Sequence, residues 1–350
     1  MSSSTEWDLL EEIIVGRVEG AMFPSWDRIL KNTIPKNALP DYDAQFSKKG
    51  TPIPDYIIEK ANIALEKFIT LLKSEGVKVR RPNLFEFQQK FSTPLWDVES
   101  GVSCANPRDV FLVINNCILE CPMADRGRYF EVFPYREILK DLCKNGWNWV
   151  SAPKPTLDEE LYSVSASEEY PYSITEFEPT FDGADFVRCG KDIIGQISHV
   201  TNGFGIKWLQ NFLGAEYTVH VIQSKCPEAL HIDTTIAPLA EGKLLVNPEF
   251  IDFNSLPKIF YDWELIEAPK PDSFITEIGG YRVVSDWMSI NILSLDDKRV
   301  IVEEKQKSLI KTLKDKGFEP IPCAFEDYYI FGGSFHCATL DICRKKTLRQ

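Results

Sequence analysis

Apolar positions recur in one order along the chain. An apolar run is followed by a turn, a second apolar run, a stretch of helical period and a further apolar run closed by Pro or a polar break. The clearest copy starts at Trp287. MSINILSL reads as a strand, Asp296-Asp297 as the turn and RVIVEE as the next strand. Residues 303–316 then place Leu309, Ile310 and Leu313 on one helical face. Gly317 stands where a C-terminal cap prefers glycine, and FEPIPC follows as a strand.

A second copy runs from Arg108: VFLVI, the turn Asn115-Asn116, CILEC, a helix over 127–144 and the strand WNWVSAP. A third begins at Ala184, with DFVRC, Gly190-Lys191-Asp192, IIGQI, a helix over 203–213 and YTVHVIQ. A fourth begins at His231, with IDTTIAPL, Glu241-Gly242, KLLVN, a short helix near 255–262 and WELIEAP. The fifth is split: LEEIIVG lies near the N-terminus, GVKVRRP closes the unit, and a helix over 55–74 lies between them. That helix carries Ile57, Ala61, Ala64, Phe68, Leu71 and Leu72 as a stripe. Five ββαβ-like units of about 45–60 residues point to a closed radial repeat, which leaves few exposed sheet edges. No Pro/Gly/Ser-rich linker divides the 350 residues, so residues 1–350 are expected to form a single domain.

Composition narrows the function. Hydrophobic residues make up 44% and charged residues 26%, the balance of a globular protein rather than a disordered one. The net charge of −13 opposes nucleic acid and anionic membranes, both of which recruit cations. No apolar stretch reaches the length of a membrane span, and Met1 to Trp7 lacks the apolar core of an export signal, so a cytoplasmic location is expected. Nine scattered cysteines fit a reducing compartment better than a disulfide scaffold. Without a C-x-x-C pair or an H-x-x-x-H spacing, no metal and no cofactor are expected.

Three segments carry reactive groups. Phe181-Asp182-Gly183-Ala184-Asp185 sets two carboxylates beside a glycine, which equally describes a turn. His231-Ile232-Asp233 puts two polar side chains on one side of a strand, where a structural histidine is the plain alternative. Gly332-Gly333-Ser334-Phe335-His336-Cys337 permits a tight turn before a cysteine that is either an activated thiol or a small buried hydrophobe. Together they supply a nucleophile, a base and an orienting carboxylate. Neither a G-x-S-x-G nor a phosphate-loop motif is present.

At these residues the chain resembles the glycine amidinotransferase family, which includes bacterial relatives in antibiotic and toxin biosynthesis. The resemblance runs through EWDLLEEIIVGR at Glu6 to Arg17, GVKVRRP at Gly76 to Pro82, NPRDV at Asn106 to Val110 and CPMADRGRYFE at Cys121 to Glu131. It continues through APKPT at Ala152 to Thr156, TEFEPTFDGADFVRCGKDI at Thr175 to Ile193, HIDTTIAPL, DWMSINIL and GGSFHCATLD. It implies an α/β fold, a five-bladed α/β propeller (pentein) of ββαβ modules around a central active site. It also implies amidino transfer from L-arginine to a primary amine, releasing L-ornithine, by a ping-pong route through an amidino-cysteine. Cys337 matches the family nucleophile, His231 the acid/base and Asp182 its carboxylate partner. Asp109 and Asp233 match the carboxylates that hold the guanidinium, and Ser285 a substrate-contacting serine. A homodimer is admitted, not required.

Two departures bear on the acceptor. Relatives acting on glycine or on a streptomycin precursor have an arginine after an NPx segment, where Asn247-Pro248-Glu249-Phe250 puts Phe250 here. The loop before the histidine reads Glu228-Ala229-Leu230 instead of N-P-M. Glu228, Leu230 and Phe250 are therefore the expected specificity residues, and the expected acceptor is glycine or a larger amine precursor in natural-product biosynthesis, with a cationic amine favoured by Glu228 and Arg282 a candidate partner for a carboxylate. An arginine deiminase-like hydrolase giving citrulline would use the same pocket, and a guanidine-binding protein would need no thiol. The products distinguish them.

Overall fold

The computed structural model describes residues 2–25, 27–34, 50–162, 171–273 and 284–346, together with a short strand pair, Glu277–Ile278 with Tyr281–Arg282. Five three-stranded sheets repeat one topology: in each, the middle strand pairs antiparallel with one neighbour and parallel with the other. The first module is built from β1 (Leu9–Val15), helix α1 (Asp55–Ser74) and β2 (Lys78–Arg80). The second holds β3 (Phe111–Ile114), β4 (Cys117–Glu120), α2 (Arg136–Lys144) and β5 (Asn148–Ser151). The third holds β6 (Phe186–Cys189), β7 (Asp192–Ile197), α3 (Gly203–Leu213) and β8 (Thr218–Gln223). The fourth holds β9 (Ile236–Ala240), β10 (Lys243–Val246) and β11 (Glu264–Glu267). The fifth holds β12 (Leu293–Ser294), β13 (Arg299–Glu303), α4 (Lys307–Asp315) and β14 (Glu319–Cys323). The last strand, β15 (Thr339–Lys345), pairs antiparallel with β1 and supplies the strand missing from the split first module.

Contacts between modules close a ring. The second meets the third where Gly183 packs on Phe111 O, with no room for a Cβ. The third meets the fourth through Thr235 Oγ1 and Gln196 Oε1 at 2.7 Å. The fourth meets the fifth through Trp287 Nε1 and Glu249 Oε2 at 3.1 Å, and the fifth meets the first through Arg299 and Glu75 at 2.6 Å. Arg17 pairs with Cys104 to join the first to the second. This is the α/β propeller that the repeats predict.

Local chemistry explains each element. α1 buries Ile57, Ala61, Ala64, Leu65, Phe68, Ile69 and Leu72, while Leu71 is only half-buried. α4 buries Leu309, Ile310 and Leu313, as its period predicts. Three expected elements differ. The fourth module has no α-helix near 255–262, only 3-10 turns at Phe253–Ser255 and Lys258–Phe260, because Pro257 removes a donor and pushes its predecessor out of helical space. The helix expected from 127 starts at Arg136, after Pro134. MSINILSL is a 3-10 turn over Asp286–Ile290 with a two-residue strand after it, which turns Ser285 and Asn291 toward the centre.

The N-terminal segment ties the ring from beneath. Ser3 exchanges backbone bonds with Asn115, Glu6 N donates to Arg188 O, and Ser2 O accepts from Arg344 N. Glu6 and Asp341 are buried and meet three buried arginines. Arg188 Nη2 lies 2.9 Å from Glu6 Oε2 and 2.8 Å from Asp341, Arg108 Nη2 lies 2.6 Å from Asp341, and Arg344 Nε lies 2.6 Å from it. Burial alone would raise the Asp341 pKa, but the three guanidinium groups hold it well below the usual carboxylate range. Among the described residues no helix is long and apolar enough to cross a membrane, and all nine cysteines are free. Arg188→Met strands Glu6 and Asp341 against one fewer cation. It is expected to lower the unfolding free energy by about 3–5 kcal/mol, read as a shifted midpoint in urea titration. An unchanged midpoint would mean the charges contribute nothing.

Candidate active site

Each module presents one short turn to a cavity of about 520 Å³. Asp109 sits in the turn Pro107–Val110, just before β3. Asp182 caps the 3-10 turn Gly183–Asp185, before β6. His231 and Asp233 flank and enter the 3-10 turn Ile232–Thr234, before β9. They are not on a strand, as alternation suggests: the tighter turn aims both at the cavity. Cys337 precedes β15. All nine residues expected at the site (Cys337, His231, Asp182, Asp109, Asp233, Ser285, Leu230, Glu228 and Phe250) line this cavity.

His231 Nε2 lies 3.1 Å from Asp182 Oδ2, and Nδ1 lies 3.7 Å from Asp109 Oδ1. Burial opposes an imidazolium here, but Asp109 and Asp182 outweigh it and raise the His231 pKa from 6.5 to about 10. Burial pushes Asp109 up, although His231 and Arg128 pull it back. The ring is therefore a cation at neutral pH, a proton donor before it is an acceptor.

The nucleophile loop is held by backbone geometry. Gly332 has φ +76°, and a Cβ on Gly333 would lie 2.5 Å from the Cys337 Cβ. Asn291 accepts at Oδ1 from the backbone N–H groups of Ser334, His336 and Cys337 at 3.3, 3.0 and 3.2 Å, and its Nδ2 lies 3.1 Å from Cys337 Sγ. On its other side the sulfur meets Asp233 Oδ2 at 3.1 Å. Burial, then Asp233 and Asp109, push the Cys337 thiol well above its ordinary pKa. These neighbours thus favour the thiol over the thiolate.

Sequence pattern missed Arg128, Asn291, Glu131 and His336. Arg128 falls in a stretch read as helix, yet it lies in the turn before α2. Its Nη2 is 2.9 Å from Asp109 and from Glu131, and its Nη1 is 3.6 Å from Asp182. Burial raises Glu131 to about 7 even beside that guanidinium. The one signal was the segment CPMADRGRYFE, dense in charge for a chain entering a core.

The outer wall is mixed. Phe250 lies 6.2 Å from the Trp287 ring, and Leu230 packs with Val200 and Ile29. Glu228 Oε2 faces Cys226 Sγ at 3.6 Å, and Ser285 Oγ caps Trp287 N. The side chain of Arg282 lies outside the described residues.

Four residues that line the cavity, Asn106, Asp109, Asp182 and Asp233, each have a buried Oδ1 with no hydrogen-bond partner among the described residues. Asp109, His231 and Cys337 bring a carboxylate oxygen, a ring nitrogen and the sulfur within 4.8 Å of one another. Chain spacing concealed this grouping. It is a cradle sized for one small cationic centre, with an imidazole and a thiol beside it.

Two carboxylates around an imidazole and a thiol suit a cationic group, and comparison with known proteins names the family. No family model matches the chain. The L-arginine:L-lysine amidinotransferase of Pseudomonas savastanoi pv. phaseolicola is 46% identical over 99% of this chain and 95% of its own length. The mitochondrial glycine amidinotransferase of Gallus gallus is 39% identical over 99% of this chain and 84% of its own. Among solved structures, an amidinotransferase from Microseira wollei in the saxitoxin biosynthetic pathway is 53% identical with TM-score 0.92, covering 100% of this chain and 98% of that one. The chain belongs to the amidinotransferases, and it is a transferase. A dimethylarginine dimethylaminohydrolase at 17% identity and TM-score 0.59 shares the fold alone, over 95% of this chain and 99% of that one.

His231 is expected to titrate near pH 10 in the folded protein, followed by NMR of its ring protons. The folded pKa exceeds the unfolded one, so its contribution to stability is complete below about pH 6.5 and is lost as pH rises through 10. A ring titrating near 6.5 would refute the Asp109–Asp182 clamp.

Proposed function

We propose that the protein moves the amidino group of L-arginine to a primary amine through an amidino-cysteine on Cys337. The observation that carries this reading is the cradle itself: Asp109 Oδ1 and Asp233 Oδ1, with no hydrogen-bond donor among the described residues, beside a thiol and an imidazole. A guanidinium satisfies both carboxylates with charge-assisted bonds and sets its central carbon over the sulfur, so attack becomes effectively unimolecular. Its charge also offsets the two carboxylates that hold the thiol protonated, so substrate binding favours the thiolate.

The Cys337 thiol gives up its proton to solvent as the cation binds, and the thiolate adds to the guanidinium carbon. The His231 imidazolium gives its proton to the departing nitrogen, the C–N bond breaks and ornithine leaves as a neutral amine. His231 is now neutral and Asp182 keeps it oriented. An acceptor amine enters in its neutral form, its lone pair attacks the amidino carbon, and the proton its nitrogen sheds goes to His231. The C–S bond breaks and the thiolate returns. No step needs a metal, because the electrophile brings its own charge. Water attacking the same amidino-cysteine would give urea, and citrulline would need ammonia rather than ornithine to leave, but the relatives at 39–53% identity are transferases.

For the acceptor, the wall of Phe250, Trp287 and Leu230 favours an amine with an aliphatic body, and Glu228 favours a positive charge. The name of the Pseudomonas relative pairs arginine with lysine, which is such an amine.

Cys337→Ser is expected to cut turnover by about 10⁴-fold or more while the protein stays folded. Wild-type protein given arginine without acceptor should gain one amidino group on Cys337, seen by peptide mass spectrometry. Metal chelation should leave that burst unchanged. An adduct on another cysteine would overturn the assignment.

Phe250 offers no donor for a substrate carboxylate. Longer amines are therefore expected to exceed glycine in kcat/KM, by about 1 kcal/mol for each methylene that meets the wall. Phe250→Arg should shift preference toward short acceptors bearing a carboxylate. A wild-type preference for glycine would refute the apolar wall as the selector.

A further inference from the structure

The mechanism uses one histidine, yet a second stands behind the carboxylate that touches the thiol. His336 is buried, with Nδ1 2.9 Å from Asp233 Oδ2 and Nε2 3.4 Å from Glu6 Oε2. Glu6 is itself gripped by Arg188, whose Nε lies 2.7 Å from Oε1 and whose Nη2 lies 2.9 Å from Oε2. The His336 backbone is fixed as well. Its N–H donates to Asn291 at 3.0 Å and its carbonyl accepts from Arg108 Nε at 2.8 Å.

Asp233 therefore has two unlike oxygens. Oδ2 is occupied from behind by His336 and from the side by the Cys337 thiol at 3.1 Å. Oδ1 is buried with no hydrogen-bond partner among the described residues, in a residue that lines the cavity. A carboxylate on a short turn rotates freely about its last torsion unless something fixes one oxygen. His336 is the group that does so, and Glu6 fixes His336.

We propose that His336 is a positioning residue: by holding Asp233 Oδ2 from the buried side, it keeps Oδ1 turned to the guanidinium, with Glu6 as its anchor. This rests on the proposed amidino transfer and names a residue that never touches substrate. The line Glu6–His336–Asp233 also links the N-terminal segment to the Cys337 sulfur through two side chains.

Two substitutions separate positioning from packing. His336→Asn keeps a donor at the place of Nδ1 and gives up the link to Glu6. His336→Leu keeps the bulk and gives up both, and a neighbouring cavity of about 20 Å³ lined by Glu6, Asp233, His336 and Arg344 gives its branch room. In the Leu variant, kcat/KM for arginine should fall by about 10- to 100-fold, the loss expected when a donor to a charged group is removed. Most of the fall should lie in KM, while the ornithine burst still reaches one per site. His336→Asn should recover most of the loss. In the Cys337→Ser background, calorimetry should show the same order in arginine affinity, tight with histidine or asparagine at this position and weak with leucine.

Equal losses in the Asn and Leu variants, or a loss confined to kcat with unchanged arginine affinity, would overturn the proposal. If the Leu variant does not fold, Asn alone decides: near-wild-type arginine KM supports positioning by the donor, and a large rise refutes it. Wild-type protein assayed in parallel keeps the two readings apart. Its failure to release ornithine or bind arginine would defeat amidino transfer itself, whereas an active wild type with indifferent variants defeats only the role of His336.

Discussion

The structure depends on a charge network buried under its centre. Glu6 and Asp341 face Arg108, Arg188 and Arg344, with strands from the first and third modules, the N-terminal segment and the turn before β3 all contributing. Such a network gains little over an apolar core of equal volume, because desolvation cancels most of the attraction. Removing one member is costly, because it leaves a charge unpaired in a low dielectric. The network therefore enforces one arrangement rather than a tighter one. Five similar modules have five similar edges, and only one closure pairs these five groups.

The same network sets the floor of the cavity. Arg108 stands next to Asp109, Asp341 follows Cys337 by four residues, and Glu6 reaches His336. Groups that lock the ring are thus close in the chain or in space to groups that face the pocket. The reactive side chains sit on short turns that lead into the inner strands, where loose loops would be expected to wander. Here each turn is anchored on its buried side, and the rigidity needed for a cradle a few ångströms wide follows from that.

Electrostatics in the pocket favour a state that waits. Burial and two carboxylates keep Cys337 a thiol, and two carboxylates keep His231 an imidazolium. The free protein is poorly suited to attack neutral reagents. A cation between Asp109 and Asp233 changes the balance, because it offsets the charges that restrain the thiol while leaving the acid in place. In the proposed reaction, selectivity for a guanidinium comes from the same groups that perform the chemistry, and an acidic chain gains from its own net charge in drawing such a cation in.

Much of the fold was legible in the order of apolar runs. The hairpin at Asn115-Asn116, the stripe of α1 and the cap at Gly317 each rest on neighbours in the chain, which pattern can read. The motifs Phe181-Asp182-Gly183, His231-Ile232-Asp233 and Gly332-Gly333 likewise located the reactive groups, and a resemblance to known sequences assigned them parts. Local signals failed where a proline or a distant partner decided: the helix absent near 255–262, the turn that replaces MSINILSL, and the departure of His231 and Asp233 from a strand. Arg128, Asn291 and His336 were invisible for a different reason. Their meaning lies in pairs separated by 19 to 330 residues, Arg128 with Asp109 and His336 with Glu6 among them. Sequence by itself determined which groups were present and on which modules. Only the closed ring decided which carboxylate oxygens stay unpaired, because that depends on which partners the other modules bring within about 3 Å.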